Sequence, residues 1–362
     1  MQISIADAQF NTLIFGIIFW AVALLSIRKA KNEAFFAPFK TAEMKGFAIL
    51  AIIFSHIGYF LSTDKEFLWP MSVLAGVGVN LFLFLSGFGL TVSSLKKPLS
   101  IFSFYQKRLS KLFIPLWIVI TIFFLLDYFV LQRSYPTTEI WKSYLGFFPL
   151  ADLYKNLNSP LWYFTLILFY YLIFPLTFFS RIPYLAPVLI ITISYYLLKI
   201  ELPFEINVDV LKLYKTHYAA FPLGVLFAVL INDENFSHIK TKIKEIIFKS
   251  FLKYLLIFMF AVLFGHFSIH SGVGVSKNIE QTISLITMFC IIFLFVVKNF
   301  EVKLFSLFGI YSYEIYLIHW PLLSRYEYLY ASLPAWLATA LYLLLFLGTG
   351  YIFQKASNKM FK

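Results

Sequence analysis

Residues 44–60, "MKGFAILAIIFSHIGYF", decide the fold. An apolar run carries a lysine at one end, Lys45, and a histidine in its middle, His56. As a helix, eleven residues at about 100° each bring the two groups back to one face, about 16 Å apart along the axis. In the core of a water-soluble protein such groups are ordinary. In a membrane they are costly and call for a reason.

Composition places the run in a membrane. Of 362 residues, 60% are hydrophobic and 13% charged, and the mean hydropathy is +0.81. A soluble domain of this length carries about a quarter charged residues. The first apolar run lacks a basic leading segment and a small-residue cleavage site, so it reads as a span rather than a secretory leader. The single cysteine, Cys290, lies inside an apolar run and excludes both an intramolecular disulfide and a cysteine metal cluster.

Runs long enough to cross about 30 Å of hydrocarbon fall near 9–27, 43–62, 70–93, 112–131, 160–179, 183–199, 216–231, 251–269, 281–297, 304–324 and 333–354. The expectation is an all-α, polytopic bundle of about eleven transmembrane helices. Most of the 30 basic residues fall in loops after odd-numbered spans and in the C-terminal tail, while acidic residues lean the other way. By the positive-inside rule the C-terminus is cytoplasmic and the N-terminus outside. The net charge of +12 is then topology rather than nucleic-acid affinity. On this reading 1–42 hold an extra N-terminal span with its basic loop, and 43–362 hold a ten-span core.

Several polar groups stand where a membrane disfavours them. Lys45 can snorkel to the interface, or hold an anion. His56, near midplane, is either a hydrogen-bonded structural imidazole or a proton-exchanging one. The span "LFGIYSYEIYLIHWPLL" packs Ser312, Tyr313, Glu314, Tyr316 and His319 into eight residues. Tyr316 and His319 share a face; Glu314 is turned away and is either a buried structural group or a counter-charge. The loop "LKKPLSIFSFYQKRLSKLFIPLW" has five basic and no acidic residues. Its Arg108 and Lys111, three apart on a helix, point the same way. With Lys45 they can form a phosphate-binding site, although positive-inside bias alone also explains them. Asn80 and Ser86 lie in a glycine-bearing span that permits close helix approach. His217 stands near an outer span end, where it can line an acceptor approach, and His238 reads as solvated. His266 and His270, in "HFSIH", have no glutamate between them, so no metal site is expected.

These pieces together resemble the integral-membrane acyltransferase family 3, which includes bacterial O-acetyltransferases acting on surface polysaccharides. "KGFAILAIIFSH" has the family's cation, ten residues, histidine spacing, with Lys45 where the family usually has arginine. "GVNLFLFLSGFGL" is similar to a family stretch with aspartate where Asn80 stands. "FYQKRLSKLFIPLW", "SPLWYFTLILFYYLIFPL", "FPLGVL" and "GIYSYEIYLIHWPLL" follow in the family's order. The resemblance covers about 43–354. Some branches carry a glutamate five residues after the tryptophan, where this chain has Ile167.

The resemblance implies a membrane O-acyltransferase of the bacterial cytoplasmic membrane. It takes an acyl group, acetyl by default, from cytoplasmic acyl-CoA to a hydroxyl of a glycan or lipid-linked saccharide at the outer side. Lys45, Arg108 and Lys111 are the expected donor-phosphate residues. His56 is the expected base or acyl carrier, with His319, Tyr313 and Ser312 beside it. Asn80, Ser86, Trp162, Glu314 and Tyr316 complete the expected substrate-binding set. No resident cofactor or nucleic-acid partner is implied, and a homo-oligomer is left open. The rival readings are a flippase or exporter of a saccharide polymer, for which paired broken helices would be the pointer, and a non-catalytic scaffold.

Overall fold

The computed structural model describes residues 2–30, 36–97, 100–152, 157–200, 206–236, 250–271 and 277–360. His238 and most of its basic loop lie outside them. The chain is a multi-pass helical bundle. Among the described residues nine helical stretches are long and apolar enough to cross a membrane. Two more of the eleven apolar runs are present in other forms. One is the shorter helix Leu185–Leu197, and the other is the broken pair Lys303–Ile310 and Ser312–Ser324.

In chain order the α-helices of eight residues or more are α1 (Ala8–Leu25), α2 (Pro38–Ser55), α3 (Ala75–Lys96), α4 (Ile101–Phe129) and α5 (Thr137–Tyr144). They continue with α6 (Trp162–Thr177), α7 (Leu185–Leu197), α8 (Val208–His217) and α9 (Ala220–Asn232). The last five are α10 (Ser250–Ile269), α11 (Lys277–Val297), α12 (Lys303–Ile310), α13 (Ser312–Ser324) and α14 (Ala335–Met360). Sequence periodicity could not foresee the small antiparallel ladder of β1 (Ile27–Lys29) and β2 (Phe300–Val302), which joins the end of α1 to the start of α12.

Two glycine crossings set the interior. Gly46 of α2 and Gly309 of α12 face each other so closely that a methyl on either would overlap the backbone carbonyl of Phe305 or of Ala42. Gly87 of α3 and Gly224 of α9 do the same against the carbonyls of Phe221 and Phe84. With no hydrophobic drive between helices in lipid, such small-residue contacts let backbones approach and gain dispersion energy. They draw α2, α3, α9 and α12 into the centre, and α2 is largely buried.

Three interior helices depart from regular α geometry, and a histidine lies at or beyond each departure. α2 ends in a π-helical turn, His56–Leu61, closed by the Ser62 amide donating to the Ile57 carbonyl at 2.9 Å. The seventh apolar run begins earlier than its hydropathy suggests, and His217 closes α8 just before α9 restarts at Ala220. The tenth run breaks at Tyr311, and His319 lies on the second half, α13. Irregular backbone at membrane depth is tolerated where it is enclosed by protein or lines a cavity.

Candidate active site

The π-turn of α2 and the half-helix α13 bring His56 and His319 together. His56 Nδ1 lies 2.7 Å from His319 Nε2. The ring centroids are 5.0 Å apart and the planes within 6°. That separation is close to the nitrogen–nitrogen distance plus two ring radii, so the imidazoles meet edge to edge rather than face to face. His319 Nδ1 is 2.9 Å from the Tyr316 carbonyl and 3.1 Å from that of Ile315.

Carbonyl oxygens only accept, so His319 Nδ1 carries the hydrogen. Its Nε2 is then the acceptor in the neutral ring, and His56 Nδ1–H donates to it. This relay leaves the lone pair of His56 Nε2 free. The tautomer follows from two backbone carbonyls of α13 and from nothing on α2 itself. A proton arriving on Nε2 leaves the relay bond in place, so the ring can charge without rearranging.

His319 is wholly buried, whereas His56 is half-buried and lines a cavity of about 550 Å³. Trp320 and Phe60 stand edge-on to the His56 ring, with centroids at 4.9 and 5.7 Å. Trp162, Tyr163 and Tyr316 form another wall. The Tyr316 hydroxyl donates to the Pro160 carbonyl, and Tyr163 meets the Tyr316 ring edge-on. Trp162 stacks on His217, with centroids at 5.7 Å and planes 19° apart. His217 Nδ1 donates to Asn80 Oδ1 at 2.7 Å, and Asn80 Nδ2 donates to Ser284 Oγ at 2.8 Å. Asp209, Lys212 and Glu280 add charge to the lining.

Eleven residues before His56, inside α2, Lys45 is exposed yet surrounded by protein, which places it in a recess rather than on a free surface. It lies within electrostatic reach of half-buried Arg108. Tyr171 lies near Arg108, with its hydroxyl facing Ser86. Among the described residues neither cation has a carboxylate partner. Two like charges close together with no carboxylate partner among the described residues favour an anion beside them. Lys111, one turn further along α4, is exposed, and no described contact joins it to the pair.

The rest of the Ser312–His319 cluster faces elsewhere. Ser312 Oγ donates to the Gly309 carbonyl at 3.0 Å across the helix break. The Tyr313 hydroxyl donates to the Leu112 carbonyl at 2.5 Å and ties α13 to α4. Glu314 is buried and does not line the cavity of His56.

Sequence reasoning passed over the polar cluster that holds the chain around Pro160. Buried Asp127 of α4 accepts from Arg325, from Tyr135 and, at 2.7 Å, from Tyr326. Burial above all pushes the Tyr135 phenol far up from its usual range, which keeps it a donor. Arg325 also donates to the Leu157 carbonyl at 2.5 Å, and Asn158 to that of Leu317 at 2.8 Å. These bonds fasten the segment before α6 onto α13. The only sequence signal was an arginine a few residues past the histidine-bearing span.

Residues 44–355 match the sequence profile of a family described as an acyltransferase domain. The chain belongs to this acyltransferase family 3 and is a membrane acyltransferase. No curated protein and no solved structure matches it.

Proposed function

We propose that the protein moves an acyl group, most simply acetyl, from cytoplasmic acyl-CoA to a hydroxyl of a surface or secreted glycan at the outer side of a bacterial cytoplasmic membrane. The observation that carries this reading is the free lone pair of His56 Nε2 on a ring that lines a cavity, with Lys45 on the same helix and Arg108 of α4 near it, neither ion-paired among the described residues.

Lys45 and Arg108, joined by the mobile charge of Lys111, hold the phosphates of the donor. The pantetheine arm runs along α2 and presents its thioester in the cavity. An acceptor hydroxyl stacked against Trp162 gives its proton to His56 Nε2 while its oxygen attacks the thioester carbonyl. The tetrahedral intermediate collapses, the carbon–sulfur bond breaks, and the thiolate takes the proton back from the imidazolium. His319 accepts from His56 Nδ1 throughout and steadies the charged ring. Asn80 and His217 orient Trp162, Tyr316 bounds the acceptor side, and Ser86 lines the donor path. Ser312, Tyr313 and Glu314 act through the shape of α13. General-base help of this kind is worth roughly 10²–10⁴-fold.

The test incubates purified protein with labelled acetyl-CoA and candidate glycans. Label appearing on the glycan in the wild type, and its loss in His56→Ala, is the expected result. Normal label transfer by the purified His56→Ala protein defeats the assignment. Glycan movement across vesicles without label favours the flippase reading instead.

A further inference from the structure

We infer that the N-terminal segment built around α1, residues 3–29, is a positioning element for the reacting turn: it is bonded to the chain just beyond His56 and, through residues 302–304, tied to Glu43 of α2, and so fixes the backbone around His56. This inference rests on the reading of His56 as the reacting group. Residues 3–29 lie before the part of the chain that matches the acyltransferase family, yet their bonds reach the segment just beyond this histidine and the chain that holds Glu43.

At the His56 end the grip is made by backbone. The Ile3 amide donates to the Leu61 carbonyl at 2.8 Å, and the Ile3 carbonyl accepts from the Thr63 amide at 3.0 Å. The pair forms a short parallel bridge with Ser62. Leu61 is the last residue of the π-turn. A few residues on, the Leu68 amide donates to Thr12 Oγ1 of α1 at 2.8 Å. The Thr12 hydroxyl in turn donates to the Ala8 carbonyl at 2.7 Å. Leu68 is wholly buried with φ of 60°. Leucine rarely occupies that left-handed region, and such a conformation persists only where its surroundings over-determine it. The hydroxyl of Thr12 is one of those surroundings. The carbonyl of Phe67, next in the chain, packs on Gly58 inside the π-turn where no methyl would fit.

At the Lys45 end, Ser26 follows α1 and accepts from the amides of Lys303 and Leu304, each at 3.1 Å, with its carbonyl and hydroxyl respectively. The β1–β2 ladder extends that grip to Val302. The Val302 amide donates to Glu43 Oε1 of α2 at 2.5 Å. Between the ends, Phe15 and Phe19 meet Phe54 edge-on at 5.5 Å, two residues before His56.

A π-turn holds one residue more than an α-turn in the same rise, and such turns recur at functional sites. Here it places Phe60 against the His56 ring while the ring lies in the plane of His319. Released at Leu61, the turn can slip towards α geometry, which withdraws Phe60 and lets the His56 ring rotate out of its relay.

The experiment uses the full-length protein with Thr12→Val, Ile3→Pro and the conservative Thr12→Ser. Amide exchange at 61–68 reads the grip. Modification of His56 by diethyl pyrocarbonate, located by peptide mass, reads the relay without catalysis, and kcat with donor KM reads the consequence. Thr12→Val and Ile3→Pro should speed exchange at 61–68 and speed His56 modification several-fold. They should lower kcat roughly 10- to 10²-fold, the scale of a small misplacement of a reacting group, with donor KM unchanged. Thr12→Ser should restore all three. Should Ile3→Pro fail to accumulate, Thr12→Val, which removes the acceptor of the Leu68 amide but no backbone–backbone bond, decides alone. Faster exchange with unchanged His56 reactivity and kcat overturns the inference, and so does unchanged exchange. If the wild type transfers no acyl group, the proposed activity fails, while exchange and modification still decide the role of α1.

Discussion

Two histidines line the same cavity and use their rings differently. His217 donates from Nδ1 to an amide oxygen, is almost fully buried, and lies nearly parallel to the Trp162 ring. His56 donates from Nδ1 to another imidazole, is half-buried, and meets its aromatic neighbours only at their edges. The first ring is spent on holding a tryptophan in place. The second keeps a nitrogen clear and rests on a partner whose own tautomer is locked by carbonyls. A histidine inside a membrane protein is therefore informative through its neighbours rather than through its presence.

The largest effect that would break this contrast comes from exchanging roles. His56→Ala should lower transfer by roughly 10²–10⁴-fold, whereas His217→Ala, measured in the same assay, should retain measurable turnover. Equal losses at both positions would erase the distinction drawn between them. Next in size is His319→Ala, which removes the acceptor that sets the His56 tautomer. A fall of about 10²-fold in kcat with little change in donor KM is expected, as for a reacting group left misoriented. Lys45→Ala should act on the donor side alone. Losing a charge-assisted contact worth about 1.5–3 kcal/mol should raise the KM for acyl-CoA by roughly tenfold or more at nearly constant kcat. Lys45→Arg, with its planar fork, should recover or lower that KM. The smallest effect belongs to His217→Ala, whose lost neutral hydrogen bond, about 1 kcal/mol, should raise the acceptor KM several-fold.

Stability offers a separate check on the clusters that hold the cavity wall. Asp127 is fully buried and ion-paired with Arg325. Removing one partner of a buried pair typically costs 3–5 kcal/mol, since the other charge is left uncompensated. Asp127→Asn should therefore lower the melting temperature of the detergent-purified protein. Asp209→Asn breaks only an exposed pair with Lys212 and should leave that temperature nearly unchanged.

The legible part of the sequence was its spacing. Lys45 and His56 on one apolar helix, and Tyr316 with His319 on another, could be read from periodicity, and Trp162 came from the family's order of motifs. What spacing did not reveal was which of the crowded polar residues face inward together. Ser312, Tyr313 and Glu314 sit in the same eight-residue cluster as His319, but the break at Tyr311 fixes a rotation of α13 that sends Ser312 and Tyr313 to backbone carbonyls and leaves Glu314 off the cavity wall. Glu43 and Lys40 are harder still. They lie within five residues of Lys45, yet Glu43 is consumed by Lys298 and Val302, and Lys40 donates to the Val296 carbonyl at 2.6 Å.

The sequence by itself determined that this is a multi-pass helical protein, with the order of its apolar runs and a cation and an imidazole eleven residues apart in one of them. Those properties follow from transfer free energies and from the helical repeat, which act along the chain. Only the tertiary structure decided that α2 ends in a π-turn, that His319 lies within hydrogen-bond reach of His56, and that Ile3 and Thr12 hold the segment between Leu61 and Leu68. Each depends on hydrogen bonds between residues far apart in sequence. Their directions are set by glycine crossings and helix breaks rather than by any local pattern.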